Sequence, residues 1–546
     1  MRTWRCSEKL ALCVSCQAPL LRWLSAAAIL LAAAASAQSH TEAYQKTVLS
    51  IQSLIQANRL DDARAALAAA RQQYPRDGGL DNLSGVIEIE RGNTAAARQA
   101  FAAAIRHDPN LVSAYMNLSR IDMRTAKDDS AARSEALELS EKVLRFEPAN
   151  DEAKYQMATI LAWQKNYTRS RDYLAGLSGD ARIQIGAQDL ACSDEAWLGA
   201  KDLATKAAAA LASSPDLTEQ DADACLPALL SARRADLIEE IFKAVASLHP
   251  LSFAGLRTYG LALEAEGRLA DARIQLEQAY SADPSSVSVL EDLARVAHAE
   301  KDNLGALGYL AHARDLEPAN PGLAYQFGTI CVEMGLYEES RKAFDEAVKL
   351  APDHAEYNLS LGQVISYSDD PSQALPYLTK YHAQRPRDAA GKLALGETYY
   401  RAKDYDTAAT WLEQATGDAQ SAPDAYFYLG RIERQQGHTD RAIDDLKHSL
   451  AVRSDQPDVL AELGQIFVTN RDFAPAATYL NRALALDSNN YAANFGLLEL
   501  YARTGDPRRD QQSARFDEIK NKREQQEREM MRVLEIRKDD GPSSSQ

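Results

Sequence analysis

Cysteine is the first residue type in this sequence whose spacing could support chemistry. The one Cys-x-x-Cys motif, at Cys13 and Cys16, lies in an N-terminal stretch with the composition of an export leader. Cys192 and Cys225 are 33 residues apart on predicted helices. They could form a disulfide in an oxidising compartment, or each could simply fill a small-residue position, as we expect for Cys331.

No other reactive residues have the spacing of a catalytic or metal site. The sequence contains no nucleophile elbow, phosphate-binding loop, dinucleotide-binding fingerprint or HExxH motif. Histidines stand singly, and acidic pairs such as Asp61-Asp62 and Asp444-Asp445 fall at predicted turns or helix starts. Carboxylates there stabilise free backbone N–H groups and the helix dipole. We therefore predict a protein that is not an enzyme and needs no cofactor or metal.

A period of 34 residues is the dominant pattern of the sequence, and it must position any functional surface. One small residue recurs at this step, and we call these positions the small-residue anchors: Gly260, Ala294, Gly328, Gly362, Gly396, Gly430 and Gly464. Twelve positions after each anchor stands a second small residue: Ala272, Ala306, Ser340, Ala374, Ala408, Ala442 and Ala476. Four positions further stands a bulky one: Leu276, Leu310, Phe344, Leu378, Leu412, Leu446 and Leu480.

Each unit of this period predicts two helices. Apolar residues recur at spacings of three and four on both sides of a break such as Glu266-Gly267-Arg268. Small residues let the paired helices approach closely, and the bulky row is expected to fill the space between units. The pattern resembles the tetratricopeptide repeat. The resemblance implies an all-α, right-handed superhelical solenoid, and the alternative is an irregular helical bundle.

The pattern extends towards the N-terminus with decreasing regularity. It is clear around Gly85, and an insertion near residues 125–133 shifts the frame to Ala158. We count about 13 to 14 repeats, the last of them represented by a first helix at Leu497. The predicted segments are a signal peptide (1–37), N-terminal repeats (38–178), degenerate repeats (179–250), regular repeats (251–505), a charged capping helix (506–540) and a disordered tail (541–546). A coiled-coil or partner-binding helix is the alternative for 506–540.

The first 37 residues have the layout of a secretory signal peptide. Four basic side chains precede an apolar core from Leu24 to Ala35, which ends in Ala35-Ser36-Ala37. An uncleaved anchor is the alternative, and no later stretch is predicted to span a bilayer. We therefore expect an exported protein of bacterial type, periplasmic or secreted.

The net charge argues against nucleic acid as a partner. The full chain carries a formal charge of −17, and removal of the leader, with its four basic residues and one acidic residue, lowers it to −20. An acidic surface repels phosphate backbones. A protein or peptide is the partner class that we expect.

The resemblance also implies where a partner would bind. In tetratricopeptide proteins the first helix of each unit lines a concave groove for an extended peptide or a helix. Residues three before, one after and four after each anchor share a face of that helix, which we call the groove face. Its candidate binding residues are Arg257, Arg295, Tyr325, Gln363, Glu397, Tyr400, Phe427, Arg431, Arg434, Gln465 and Phe495. The alternative is that the aromatic rings merely pack against the next unit.

These patterns favour an exported scaffold that binds proteins or peptides in envelope assembly, secretion or polysaccharide export. A second hypothesis is a non-catalytic regulatory or substrate-binding subunit of a glycosyltransferase or peptidoglycan-modifying system. Direct glycan binding through groove aromatics is a third. The paired Lys and Asn of the carboxylate-clamp subtype are missing from the groove face, which disfavours recognition of a chaperone's C-terminal tail.

Overall fold

The computed structural model describes residues 42–368 and 370–539, with side chains to residue 525. Every regular element in these ranges is a helix, which confirms the all-α fold class. The 29 α-helices in the described ranges are α1 (Glu42–Gln56), α2 (Leu60–Gln73), α3 (Gly78–Glu90), α4 (Thr94–His107), α5 (Val112–Met123), α6 (Ser130–Phe146), α7 (Asp151–Trp163), α8 (Tyr167–Ala175), α9 (Gly179–Arg182), α10 (Ile185–Trp197), α11 (Lys201–Ala212), α12 (Glu219–Ser231), α13 (Ala235–Leu248), α14 (Phe253–Ala265), α15 (Leu269–Ala282), α16 (Val287–Ala299), α17 (Asn303–Leu316), α18 (Pro321–Glu333), α19 (Tyr337–Leu350), α20 (Ala355–Ile365), α21 (Leu375–Gln384), α22 (Ala389–Arg401), α23 (Tyr405–Ala415), α24 (Ala422–Gln435), α25 (Thr439–Val452), α26 (Pro457–Thr469), α27 (Phe473–Leu486), α28 (Tyr491–Thr504) and α29 (Arg509–Asp539). A 3-10 helix, Pro371–Ala374, precedes α21.

The turn inside most helix pairs shows the 34-residue period directly in the backbone. One residue in each of these turns has positive φ: Asn58, Gly92, Lys165, Gly199, Arg233, Gly267, Lys301, Gly335, Lys403, Gly437, Arg471 and Gly505. The members are one period apart with two exceptions: Gly92 and Lys165 are separated by two periods and the five-residue insertion, and Gly335 and Lys403 are separated by two periods. Position 369, the next in this row after Gly335, lies outside the described residues. Glycine is favoured here because left-handed backbone crowds a Cβ atom.

The small-residue anchors make room for the bulky row of the second helix. A Cβ atom built on Gly396 would lie 2.6 Å from Cγ of Leu412, and one on Gly328 would lie 2.7 Å from Cε1 of Phe344. Both distances are too short for real carbon atoms, so the bulky side chain occupies the space that a larger anchor would need. The small row therefore allows close approach within each helix pair, as the sequence predicts, whereas Leu412 and Phe344 of the bulky row lie against the anchor of their own pair and not only between units.

The chain divides into two compact units between Pro284 and Ser285. Unit 1 holds α1 to α15 and unit 2 holds α16 to α29. The predicted boundaries near residues 178 and 250 separate the degenerate repeats from the repeats on either side, and they remain predictions.

The degenerate segment in unit 1 still forms helix pairs. The first helix of one of these pairs, α12, continues through Pro227, although proline usually interrupts a helix. The second helices keep the repeat register with buried residues: Ala204, Ala208 and Leu211 on α11, and Ile238, Phe242 and Val245 on α13. The degeneracy is thus confined largely to the first helices.

The C-terminal helix packs on the last repeat. The Phe516 ring of α29 lies 4.8 Å from the ring of Tyr491 and 5.6 Å from that of Phe495, measured between centroids. Gln512 Nε2 donates a 3.0 Å hydrogen bond to the backbone oxygen of Asn494. This packing is consistent with a cap. The predicted signal peptide and the predicted disordered tail lie outside the described residues, and no helix among those described is long and apolar enough to cross a membrane.

Candidate binding face on the first helices

Three predicted groove-face residues form one cluster in unit 2. Cζ of Arg431 on α24 lies 5.3 Å from the centroid of the Tyr400 ring on α22 and 5.5 Å from that of Phe427. Phe427 lies one helical turn before Arg431 on α24, and Tyr400 lies on α22. The guanidinium is therefore near one ring of its own helix and one ring of the first helix before it. All three residues are half-buried. Aromatic rings attract cations at these distances, and here they hold the guanidinium in place.

The neighbouring arginine is already paired within the protein. Nη1 of Arg434 donates a hydrogen bond to Oε1 of Glu462 on α26. Arg431 is also near Glu462, but its Nε lies 3.9 Å from Oε2, beyond hydrogen-bonding distance. We call Tyr400, Phe427, Arg431, Arg434 and Glu462 the Arg431 patch. Glu462 was missed by the sequence analysis because it stands two residues before the Gly464 anchor, outside the chosen face.

Glu397 occupies the same face on α22, one turn before Tyr400. Burial raises the pKa of Glu397 to about 7, while Arg401 opposes this rise and Asp424 adds to it. The residue keeps partial exposure, but protein groups surround its carboxyl. Arg401, also missed from sequence, stacks on Tyr367 with Cζ 3.7 Å from the ring centroid. The centre of this face therefore holds three arginines and two carboxylates: Glu462 pairs with Arg434, and Glu397 has a weakened tendency to ionise.

Other predicted face residues serve internal packing. The Tyr325 ring lies 5.5 Å from Phe344 and 4.8 Å from Tyr357, so it bridges neighbouring helix pairs. Gln465 Nε2 donates a 3.1 Å hydrogen bond to the backbone oxygen of Ala492. Phe495 remains 46% exposed despite its contact with the cap. These residues contribute less free surface to a site than their positions suggest.

The remaining candidates lie on separate first helices. Gln363 is exposed on α20, and Arg295 on α16 donates to Oδ1 of Asp292 at 2.9 Å. Arg257 is half-buried on α14 and belongs to unit 1. The structure brings together Tyr400, Phe427, Arg431 and Arg434, with Glu397 on the same helix as Tyr400. A partner-binding role for any of the eleven candidates remains a prediction.

Cys192 and Cys225 are buried free thiols in contact with each other. A side-chain hydrogen bond that the Cys225 thiol donates to Cys192, together with burial, raises the pKa of Cys225 well above its usual range. The two thiols are therefore neighbours in the core, and the disulfide between them remains a prediction. Cys331 is a third buried free thiol.

Carboxylates are buried on the same helices as these thiols. Asp194 is 1% exposed, and neither of its oxygens has a partner that meets hydrogen-bond geometry. Burial raises its pKa to about 7, with Glu195 adding to the rise and Ser170 and Arg171 opposing it. Among the described residues, no group of three or more His, Cys, Asp or Glu side chains has the arrangement of a metal site.

Comparison with family models identifies the repeats. Models of the tetratricopeptide repeat match residues 49–112, 253–296, 297–364, 367–429 and 461–509. These matches agree with the helix pairs, the anchors and the period of the turns. The chain is a tetratricopeptide repeat protein.

Individual relatives are distant. The human protein O-mannosyl-transferase TMTC1 is 23% identical over 178 residues, which are 32% of this chain and 20% of that protein. The chain thus spans about one fifth of the length of this relative.

Solved structures are similar at the level of helical repeats. The Cut9–Hcn1 hetero-tetramer of the APC/C is 15% identical with a TM-score of 0.37, covering 84% of this chain and 90% of that one. A tetratricopeptide repeat protein of Parabacteroides merdae is 16% identical with a TM-score of 0.36, covering 45% and 97%. PilW, a type IV pilus biogenesis factor, is 18% identical with a TM-score of 0.35, covering 39% and 98%. Similarity at these TM-scores carries no argument about function.

Proposed function

We propose that this protein is a non-catalytic scaffold that binds a segment of a partner protein on the groove face of unit 2. The observation that carries the proposal is the Arg431 patch, where a half-exposed cation is held between two half-exposed aromatic rings. Interface anchors are enriched in tyrosine, tryptophan and arginine because such side chains combine apolar area with directed hydrogen bonds. Tetratricopeptide repeats offer such faces along their first helices.

The cellular setting that we propose is outside the cytoplasm. The basic leader, the apolar core and the Ala35-Ser36-Ala37 site support export to a periplasm or the exterior. A scaffold there would serve envelope assembly, secretion or polysaccharide export. Recovery of a mature N-terminus near Gln38 from the exported fraction would test this setting.

A second candidate is a non-catalytic regulatory or substrate-binding arm of a glycosyltransferase or peptidoglycan-modifying system. The match to the human O-mannosyl-transferase supports it, although that match spans only 32% of this chain. Glycan binding by the chain itself would then involve the exposed rings of the groove face. Binding of oligosaccharides to the purified chain, without a protein partner, would favour this candidate.

A double variant, Arg431→Gln with Arg434→Gln, tests the main proposal. Both arginine side chains are more than a third exposed, so their removal should change the free energy of unfolding by less than about 1 kcal/mol. Loss of interface arginines commonly costs about 2 kcal/mol or more each, so partner recovery from extracts of the native cells should fall at least about tenfold.

Two further variants control this experiment. Arg341→Gln with Lys342→Gln removes two charges from α19, a second helix of the same unit, and should leave recovery unchanged. Adding Glu462→Gln to the double variant removes a carboxylate that would otherwise lose its partner. Undiminished recovery in both variants that lack Arg431 and Arg434 would contradict the proposal.

A further inference from the structure

Arg431 differs from the other arginines of the groove face in its hydrogen bonding. Arg434 is bonded to Glu462, and Arg295 to Asp292. Arg431 is 38% exposed and fixed by two rings, yet within the described ranges its guanidinium makes no hydrogen bond. Glu462 forms a loose ion pair with it, with Oε2 3.9 Å from Nε, so the charge is partly neutralised while the donors stay available for hydrogen bonds. A guanidinium in this state is suited to receive a planar anion through two parallel hydrogen bonds.

The local charge also differs from that of the whole chain. The chain carries a formal charge of −17, but Arg401, Arg431 and Arg434 are close together on this face. Glu462 neutralises one of them, and Glu397 is a poor counter-ion because burial raises its pKa to about 7. The face is thus a locally positive area on an acidic protein, and electrostatic complementarity favours an acidic partner.

Apolar surface borders the unused cation. Leu393 on α22 is partly buried and packs in the same cluster as Tyr400 and Phe427. Together these side chains form an apolar strip beside Arg431. An extended segment has side chains that alternate in direction, so apolar residues two positions before and after an acidic residue lie on the same side as that residue and can contact the same face.

We propose that Arg431 binds the carboxylate of an aspartate or glutamate side chain in an extended, acidic segment of the partner protein, with apolar residues two positions to either side of it on Leu393, Tyr400 and Phe427. This inference rests on the proposed function and specifies the partner's chemistry. In this proposal the rings of Tyr400 and Phe427 fix the position of the guanidinium before the partner binds, which lowers the entropic cost of binding.

Two pools of fluorescent peptides test the inference on the full mature chain. Each peptide is acetylated and amidated, with a fixed Leu-x-Glu-x-Leu or Leu-x-Gln-x-Leu core, in which x is randomised, between four further randomised positions on each side. The Glu pool should bind at least about tenfold more tightly than the Gln pool, because charge-assisted hydrogen bonds are stronger than neutral ones. Arg431→Gln should reduce this preference to less than about threefold. Glu462→Gln should keep or increase it, because a competing carboxylate is gone.

The remaining outcomes separate this inference from the proposed function. Equal affinity for both pools, a preserved preference in Arg431→Gln, or no binding of either pool to the folded chain would overturn the inference. Tighter binding of a Gln pool with a free C-terminus than of the amidated Glu pool would also overturn it, since the carboxylate would then come from a chain end. If the Arg431→Gln, Arg434→Gln variant loses its native partner while both pools bind equally, the scaffold proposal stands and only the acidic segment is wrong.

Discussion

The degenerate segment of unit 1 and the regular repeats of unit 2 place different chemistry at the same repeat position. Two residues after the anchor, the regular repeats bury apolar side chains such as Val296, Ile330 and Ile466. Three periods before Val296 the same position holds Asp194, which is 1% exposed. Both regions nevertheless form helix pairs with buried second-helix rows. Helix pairs with buried second-helix residues are thus present even where a first helix buries a carboxylate.

In unit 2 the packing rows lie apart from the groove face, which we propose binds the partner. Its anchors and bulky rows are buried, and the Arg431 patch lies on residues that do not belong to those rows. In unit 1 the carboxylates of Asp189, Asp194 and Asp223 all have raised pKa values because they are buried. We therefore expect stability there to depend on protonation, and the stability of the regular rows to depend on shape.

The largest effect should come from moving the acidic residue into the regular region. Val296→Asp would bury a carboxylate among apolar neighbours and should lower the free energy of opening of α16 by about 3 to 5 kcal/mol at pH 8. Val296→Ala, which only removes volume, should cost about 2 kcal/mol. Native-state hydrogen exchange measures both. Equal costs for the two variants would mean that the regular region tolerates buried charge as well as the degenerate segment does.

A large side chain at an anchor should disrupt the regular region through shape alone. Gly396→Leu would drive atoms into Leu412, whose Cγ already lies 2.6 Å from the position of a Cβ. Overpacking of this kind costs about 1 to 3 kcal/mol. The matched control is Gly308→Leu, because a Cβ at that helical glycine meets no atom within 4 Å. Thermal melting should show a loss for the first variant only, and similar melting of the two would show that the anchors do not carry the packing.

A smaller effect should appear as pH dependence in the degenerate segment. The pKa of Asp194 is about 7 in the folded protein, against about 3.9 for an unfolded aspartate. Folding therefore favours the protonated form, so its stabilisation is complete below about pH 4 and is lost as the pH rises through 7. Hydrogen exchange in α10 should be slower at pH 5 than at pH 8 after correction for the intrinsic rate. The difference should be at least about 1.4 kcal/mol, equivalent to one pKa unit.

The Asp194→Asn variant lacks the titrating carboxyl and should reduce the difference in the protection of α10 between pH 5 and pH 8. Asp189 and Asp223 have raised pKa values as well and should keep part of it. Asp61→Asn, at a side chain that is 90% exposed, is the control and should behave like the wild type. A wild-type helix that is equally protected at both pH values would contradict the buried-carboxylate account.

The sequence predicts the fold better than the site because the two depend on different information. The period, the anchors and the bulky rows follow from residue size and spacing, and the structure confirms an all-α repeat. The same period assigns Tyr400, Phe427 and Arg431 to one face. It cannot show that Arg434 pairs with Glu462, that Gln465 binds the backbone of Ala492, or that Phe516 contacts Phe495. Those contacts depend on distances between helices, which spacing along the chain does not determine.

Photo-cross-linking tests most directly whether the first-helix face of unit 2 binds the partner. p-Benzoylphenylalanine would replace Phe427 on that face, Tyr337 on the second helix α19, or Trp163 on α7 of unit 1, one site at a time. Tyr337 is 54% exposed, so its reaction reports chance encounters on an accessible ring. We predict a cross-linked partner at Phe427 with a yield at least about five times that at either other site. A cross-link at Trp163 or Tyr337 without one at Phe427 would contradict the account.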